Sequence, residues 1–456
     1  MQCNTEFGLF TKPSRLRRND MSAPAEKVPG KAWVVVFAGT AVNLCLGILY
    51  AWSVWSKALV FDSPDKDIVL KMAGQPMDGL NVGWAYLNNA QAATPFSIAV
   101  IIFALFMIPG GRIHDKFGPK FGAIVGGLCL AAGCIIAGLM KSYTGLIIGF
   151  GIFGGIGMGI GYAAPTPAAL KWFGPHKRGM IAGLVVGGYG GAAIYIGPLG
   201  KWLITNYGVT GSFVGLGIFF AVIICIAAQF LSWPPEGYVP PGAVATSAKK
   251  AAATMGKDWT PGEMVKTWQF YALVILFIGS TQSGLLIIAN AAGILKSAAM
   301  GVPFFVANAW ILVSYGGLVN ASGRVGTGMY SDKIGRDKAY TINCMVSALC
   351  LAAMPAVIKS QNLILLFIVV GVAYWQYGGG LSLLPSYTAD FFGAKHLGVN
   401  YGLVFLGWGF GFFMARVAGT IKDITGSLDL AFYISAGILV AMVVLCRLTK
   451  KPVPKG

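Results

Sequence analysis

The chain has 456 residues, of which 56% are hydrophobic and only 11% charged, against roughly 25% charged in an ordinary soluble protein. Its net charge is +18, but the bases sit in short clusters between apolar blocks, which argues against a nucleic-acid-binding face. Uncharged blocks such as residues 121–140 are long enough to cross a bilayer as a helix, so a soluble fold is excluded.

Residues 1–20 are polar and basic and lack the apolar core of a signal peptide, and 1–31 read as a cytoplasmic leader without fixed structure. Met21 is an alternative start. Apolar runs then predict twelve spans, near 33–56, 93–110, 121–140, 145–170, 180–200, 213–231, 269–294, 304–329, 340–358, 363–386, 400–420 and 429–447. The expected fold is an all-α membrane protein whose twelve transmembrane helices form two six-helix bundles, 32–231 and 267–447. A linker over 232–266 with Pro234, Pro235, Pro240 and Pro241 joins them, and 448–456 is a short tail. Residues 61–92, with Asp62, Asp65, Asp67 and Asp78, form an acidic-to-neutral outer loop.

Bases mark every second loop: Arg112, Lys116 and Lys120; Lys177 and Arg178; Lys333, Arg336 and Lys338; then Arg447, Lys450, Lys451 and Lys455. Lys141, Lys201 and Lys359 stand nearly alone in the loops between. This bias places both termini in the cytoplasm and the chain in the plasma (inner) membrane. The cysteines lie mostly in apolar segments with no CxxC pair, as small buried hydrophobes do.

An internal repeat sets the two halves in register. Gly111-Arg-Ile-His-Asp115-Lys-Phe-Gly118 follows the second span, and Gly328-Met-Tyr-Ser-Asp332-Lys-Ile-Gly335-Arg336 follows the eighth. Trp172-Phe173-Gly174 and Phe391-Phe392-Gly393 repeat likewise after the fourth and tenth. Glycine in such a turn supplies close approach and positive φ, while the aspartate can cap a helix and pair with loop bases in one conformation only. The same loops would also mark the cytoplasmic side by topology alone.

Charges inside apolar spans are costly and mark function. Two are found, Arg324 and Arg416. Arg324 lies eight residues before Asp332, about 12 Å along the helix, too deep to reach water. No acid lies deep in any span, so its counter-ion is expected to be a substrate carboxylate, which a guanidinium grips with two parallel bonds. The alternative is an arginine held by backbone carbonyls. Asn320, one turn earlier, can hydrogen-bond a hydroxyl or carboxylate, or simply face another helix. Arg416, near the outer end of its helix, reads as a possible gate. Gly157, Gly159 and Gly161 leave room for a cavity beside Tyr162. With His114, His176 and His396 all in loops, neither catalysis nor a metal or cofactor is expected.

The repeated loop resembles the signature of the major facilitator superfamily, G-xxx-D-[RK]-x-G-[RK]-[RK]. Within it the chain is similar to the oxalate:formate antiporter and monocarboxylate transporter branch, through Gly47-Ile-Leu-Tyr50-Ala-Trp52-Ser, Thr260-Pro-Gly-Glu263, Ser331-Asp-Lys-Ile-Gly-Arg336 and Asn400-Tyr-Gly402. The likeness spans about residues 30 to 450. It implies two bundles rocking about a midplane site, with Arg324 on the substrate carboxylate. It also implies aromatic cavity walls at Tyr50, Tyr162, Tyr189, Tyr377 and Phe405, although each of these can equally be packing. Animal carriers place an aspartate where Asn320 stands, and asparagine cannot carry a proton. The oxalate carrier has a lysine where this chain has Trp408, and one arginine beside an indole suits a monoanion. The expectation is therefore secondary active transport of a small monocarboxylate such as L-lactate, by a monomer, with a proton. A half-exposed group such as Asp390 is a candidate proton carrier. Organic anion exchange and a non-transporting membrane sensor are the alternatives.

Overall fold

The computed structural model describes residues 28–173, 178–235, 238, 240, 258–393 and 397–453. Among these, β pairing is limited to two isolated bridges, Val60 with Leu87 and Pro76 with Ala85. A bilayer offers no hydrogen bonds to the backbone, so an apolar chain of this kind settles as helices.

Among the described residues, ten helical stretches are long and apolar enough to cross a membrane. They are α1 (Gly30–Leu59), α2 (Asn89–Phe117), α3 (Pro119–Met140), α4 (Tyr143–Leu170), Met180–Ala228, α7 (Trp268–Ala298), α9 (Arg336–Lys359), α10 (Leu363–Phe392), α11 (Val399–Thr425) and α12 (Asp429–Leu448). Met180–Ala228 is two helices, because Gly208 breaks it at φ +69° and ψ −178°. We label them α5 (178–207) and α6 (209–228). The twelfth, α8 (Trp310–Ile334), has 25 residues and carries Arg324, which dilutes its apolar signal. Large apolar side chains such as Phe37 and Ile364 face outward, 67% and 77% exposed, as a lipid-facing surface requires.

The repeat returns in the backbone of the two glycine turns. Gly118 ends α2 at φ +89° and ψ 165°, donating to His114 O at 2.9 Å. Gly335 ends α8 at φ +91° and ψ 154°, donating to Ser331 O at 3.0 Å. Both need glycine for a left-handed φ. Asp115 departs from expectation. Its side chain is 74% exposed, α3 starts without a side-chain cap, and its neighbour is His114 Nε2 at 4.0 Å. The side chain of Asp332 and all of Gly174 lie outside the described residues. A β-carbon on Gly111 or on Gly328 would meet nothing within 4 Å, so close approach is not their purpose here.

Gly157, Gly159 and Gly161 do not leave room for a cavity; they close the space. A β-carbon at Gly157 would stand 2.3 Å from Leu130 N, and one at Gly159 would stand 2.6 Å from Phe103 O. These glycines let α4 lie directly on α3 and α2, the small-residue packing that holds membrane helices together.

Beyond the part of the linker that lies outside the described residues, the chain is anchored. Thr260 and Glu263 form a capping box at the short helix Pro261–Met264. Trp259 N donates to Phe392 O at 2.9 Å, and Asn400 Nδ2 donates to Trp259 O at 3.0 Å.

At the end remote from the termini, contacts tie the first six helices to the last six. Lys296 pairs with Asp62 at 2.7 Å, and Lys66 Nζ donates to Ile424 O at 2.8 Å. The hydrogen bond from Lys296 holds the Asp62 carboxyl below its usual pKa. A depressed carboxylate is lost only as pH falls below the ordinary value near 4, so this pair persists at neutral pH. Asp423 takes the first amides of α2, Asn89 N at 3.2 Å and Ala90 N at 3.0 Å, and Asn89 Nδ2 at 2.9 Å. It satisfies helix-end donors and the helix dipole together. Asp423→Ala should cost about 1 to 2 kcal/mol, the worth of a good helix cap. The check is thermal melting of purified protein, where an unchanged midpoint would deny this cap any weight.

Candidate functional site

Near the middle of α1 the helix tightens into a 3-10 turn over Gly47–Ala51, and Tyr50 sits in it. Across from it, α8 presents Asn320 and Arg324, one turn apart and 1% and 3% exposed. Arg324 Nε donates to Asn320 Oδ1, Nη1 to the Val186 carbonyl on α5, and Nη2 to the Tyr50 hydroxyl, each at 3.1 Å. The Tyr50 and Tyr377 hydroxyls are 3.1 Å apart, and Trp408 Nε1 donates to Tyr377 at 3.0 Å. One continuous row thus joins α8, α1, α10 and α11.

Counting protons along this row reveals its character. Each tyrosine oxygen already accepts one N–H, from Arg324 or from Trp408. Only one hydroxyl proton fits between the two oxygens, so the other points elsewhere. Asn320 Nδ2 is buried without a partner, and these three bonds use three of the five guanidinium N–H groups. Among the described residues no carboxylate lies within ion-pair range of Arg324. The site is rich in donors and poor in acceptors. It can receive an anion.

Rings wall one flank. Tyr189 packs edge-on against Tyr50 at 5.1 Å and against Tyr162 at 5.2 Å, and its hydroxyl meets Met158 Sδ at 3.3 Å. Phe405 stacks with Tyr162 at 6.3 Å and tilts against Trp408 at 5.1 Å. The structure therefore brings together Arg324, Asn320, Tyr50, Tyr162, Tyr189, Tyr377, Phe405 and Trp408. It adds Phe103 on α2, which touches Tyr162, Tyr189, Phe405 and Trp408 at 5.3, 5.5, 5.9 and 4.9 Å. Sequence reading missed it because one phenylalanine in an apolar helix carries no signal. Gly190 on α5 was missed too. A β-carbon there would stand 3.3 Å from both Arg324 Nε and Asn320 Oδ1.

Other expected residues lie apart. Arg416 bonds Thr420 Oγ1 on its own helix at 2.7 Å and is half-buried. Asp390 is paired with Arg336 at 3.4 Å at the end of α10 near the repeated turn, about 20 Å along that helix from Tyr377, so it is not part of the row. Arg336 also bonds Ser331 Oγ. Helices α1 and α11 run further than expected, to Leu59 and Thr425, so Lys57, Lys422 and Asp423 fall in their last turns, as Lys296 does in the last turn of α7.

The profile of the Major Facilitator Superfamily matches residues 32–384. The chain belongs to that superfamily. It is a multi-pass membrane transporter by family. Its similarity to the oxalate:formate antiporter of Oxalobacter formigenes is 28% identity over 84% of this chain and 83% of that one. With apicoplast pyruvate carrier 1 of Toxoplasma gondii the identity is 25%, over 92% and 89%. The fold matches that of the E. coli xylose transporter XylE in a partially occluded inward-open conformation, with TM-score 0.63 and 14% identity over 93% of this chain and all of that one. Membership in this superfamily accounts for the twelve helices and the twice-occurring glycine turn, since both are features of the fold rather than of any one substrate.

Proposed function

We propose that this superfamily member carries small monocarboxylates such as L-lactate across the plasma (inner) membrane by alternating access, in company with a proton. The donor surplus around Arg324 carries this reading. Arg324 would grip the carboxylate, and Asn320 Nδ2 and the spare tyrosine proton would meet a hydroxyl or keto oxygen. Trp408, Phe405 and the tyrosine rings would enclose a short carbon tail. A single guanidinium suits a monoanion. The two six-helix halves, 32–231 and 267–447, would rock about this layer with both termini in the cytoplasm. Arg416 would act as a gate residue and the repeated turns as switches.

Exchange of the oxalate:formate type is the second reading, and one observation favours it. With no carboxylate among the described residues within ion-pair range of Arg324, an empty site carries a bare buried charge, which resists crossing unloaded. Proteoliposomes loaded with buffer alone and given an inward proton gradient distinguish the two. Labelled lactate should accumulate and should stop when the gradient is collapsed. Uptake that ignores the gradient and demands an anion inside would sink proton coupling.

A further inference from the structure

At the end of the bundle remote from the termini, a cavity of about 380 Å³ opens between the two halves. Ser56 and Lys57 of α1 and Asn89 at the start of α2 line one side, and Asn290 of α7 and Lys422 of α11 line the other. Lys57 crosses the seam: a β-carbon on Gly293 of α7 would stand 2.9 Å from its Cε and 3.8 Å from its Nζ. The acids around this opening are engaged. Asp429 holds Lys359 at 2.6 Å, Asp62 holds Lys296, and Asp423 is taken up by the amides of α2. Among the described residues, Lys57 and Lys422 have no carboxylate within ion-pair range. Two lysine side chains thus share one half-enclosed cavity, flanked by carboxamide and hydroxyl side chains.

We propose that this cavity is a second anion site, which captures a small carboxylate between Lys57 and Lys422 ahead of Arg324. The identity of the ligand rests on the monocarboxylate reading above; the anion site itself does not. The two sites are separate, since Lys57 lies seven residues beyond Tyr50, about 10 Å along α1. Their chemistry differs as their tasks do. The ammonium is a mobile point charge that holds an anion without fixed geometry and lets it go, whereas the guanidinium fork orients it. Paired cations at the mouth also raise the local anion concentration and speed encounter.

Equilibrium binding of labelled L-lactate to the full-length protein in neutral-lipid nanodiscs, at low ionic strength, tests this. Four forms are compared: native, R324Q, K57Q/K422Q, and the triple variant. R324Q should keep a weak, salt-sensitive site that the triple variant lacks. The loss there should be about tenfold or more, the worth of one or two charge-assisted hydrogen bonds. K57Q/K422Q should still bind through Arg324, which also shows that it folds. Equal binding by R324Q and the triple variant would overturn the second site and leave Arg324 standing. Binding that depends only on the lysines would do the reverse, and no binding by any form would remove both.

Discussion

Arg324→Gln is expected to abolish lactate uptake, and Arg324→Lys to raise KM about 30- to 1,000-fold. Truncating one partner of a buried, hydrogen-bonded charge pair costs about 2 to 4 kcal/mol, which is that range in affinity. The guanidinium is held from three directions, by Asn320, Val186 and Tyr50, so its remaining N–H groups are aimed before substrate arrives. Lysine restores the charge but has no planar fork and does not reach the same three acceptors together. The measurement is initial uptake rate against lactate concentration in proteoliposomes containing equal amounts of folded protein. A lysine variant with native KM would mean that charge alone suffices and that the hydrogen-bond row orients nothing. The glutamine variant adds a separate test. It removes an uncompensated buried charge, so its thermal midpoint should change little while transport disappears. A large fall in midpoint with transport kept would make Arg324 a structural residue.

The sequence made the helices legible, because a bilayer permits one backbone solution for long apolar runs. The turns at Gly118 and Gly335 were equally legible, since spacing and glycine together encode a left-handed cap. What escaped was lateral contact. The glycines before Tyr162 looked like space, and only the partner helix reveals that they are filled by Leu130 and Phe103 backbone. Arg324 and Asn320 could be placed on one face of α8 by periodicity. That Tyr50 bridges Arg324 to Tyr377 depends on how α1, α8 and α10 meet, which no local pattern records. Lys57 and Lys422 were passed over for a simpler reason. They sit at helix ends, where a lysine near an interface ordinarily snorkels to water.

The second large effect concerns assembly of the first half. Gly126→Leu should prevent folding, whereas Gly111→Ala, inside the repeated motif, should leave it intact. A β-carbon at Gly126 would lie 2.3 Å from Gly161 N, 2.4 Å from Gly161 Cα and 2.7 Å from Gly157 O. All three obstacles are backbone, so no rotamer change relieves them and α3 must move off α4. Overpacking a core costs about 1 to 3 kcal/mol when side chains can yield, and more when they cannot. Lipid tails are as apolar as the helix surfaces, so nothing but that close contact rewards bringing α3 and α4 together. Separating them also displaces Tyr162 and hence the ring wall beside Phe103 and Phe405, so any folded remnant should bind lactate poorly. Size-exclusion profiles of detergent extracts read the outcome: an aggregated peak for G126L and a native, monodisperse peak for G111A. A native profile for G126L would show that α3 and α4 tolerate separation, and the packing role given to these glycines would fail.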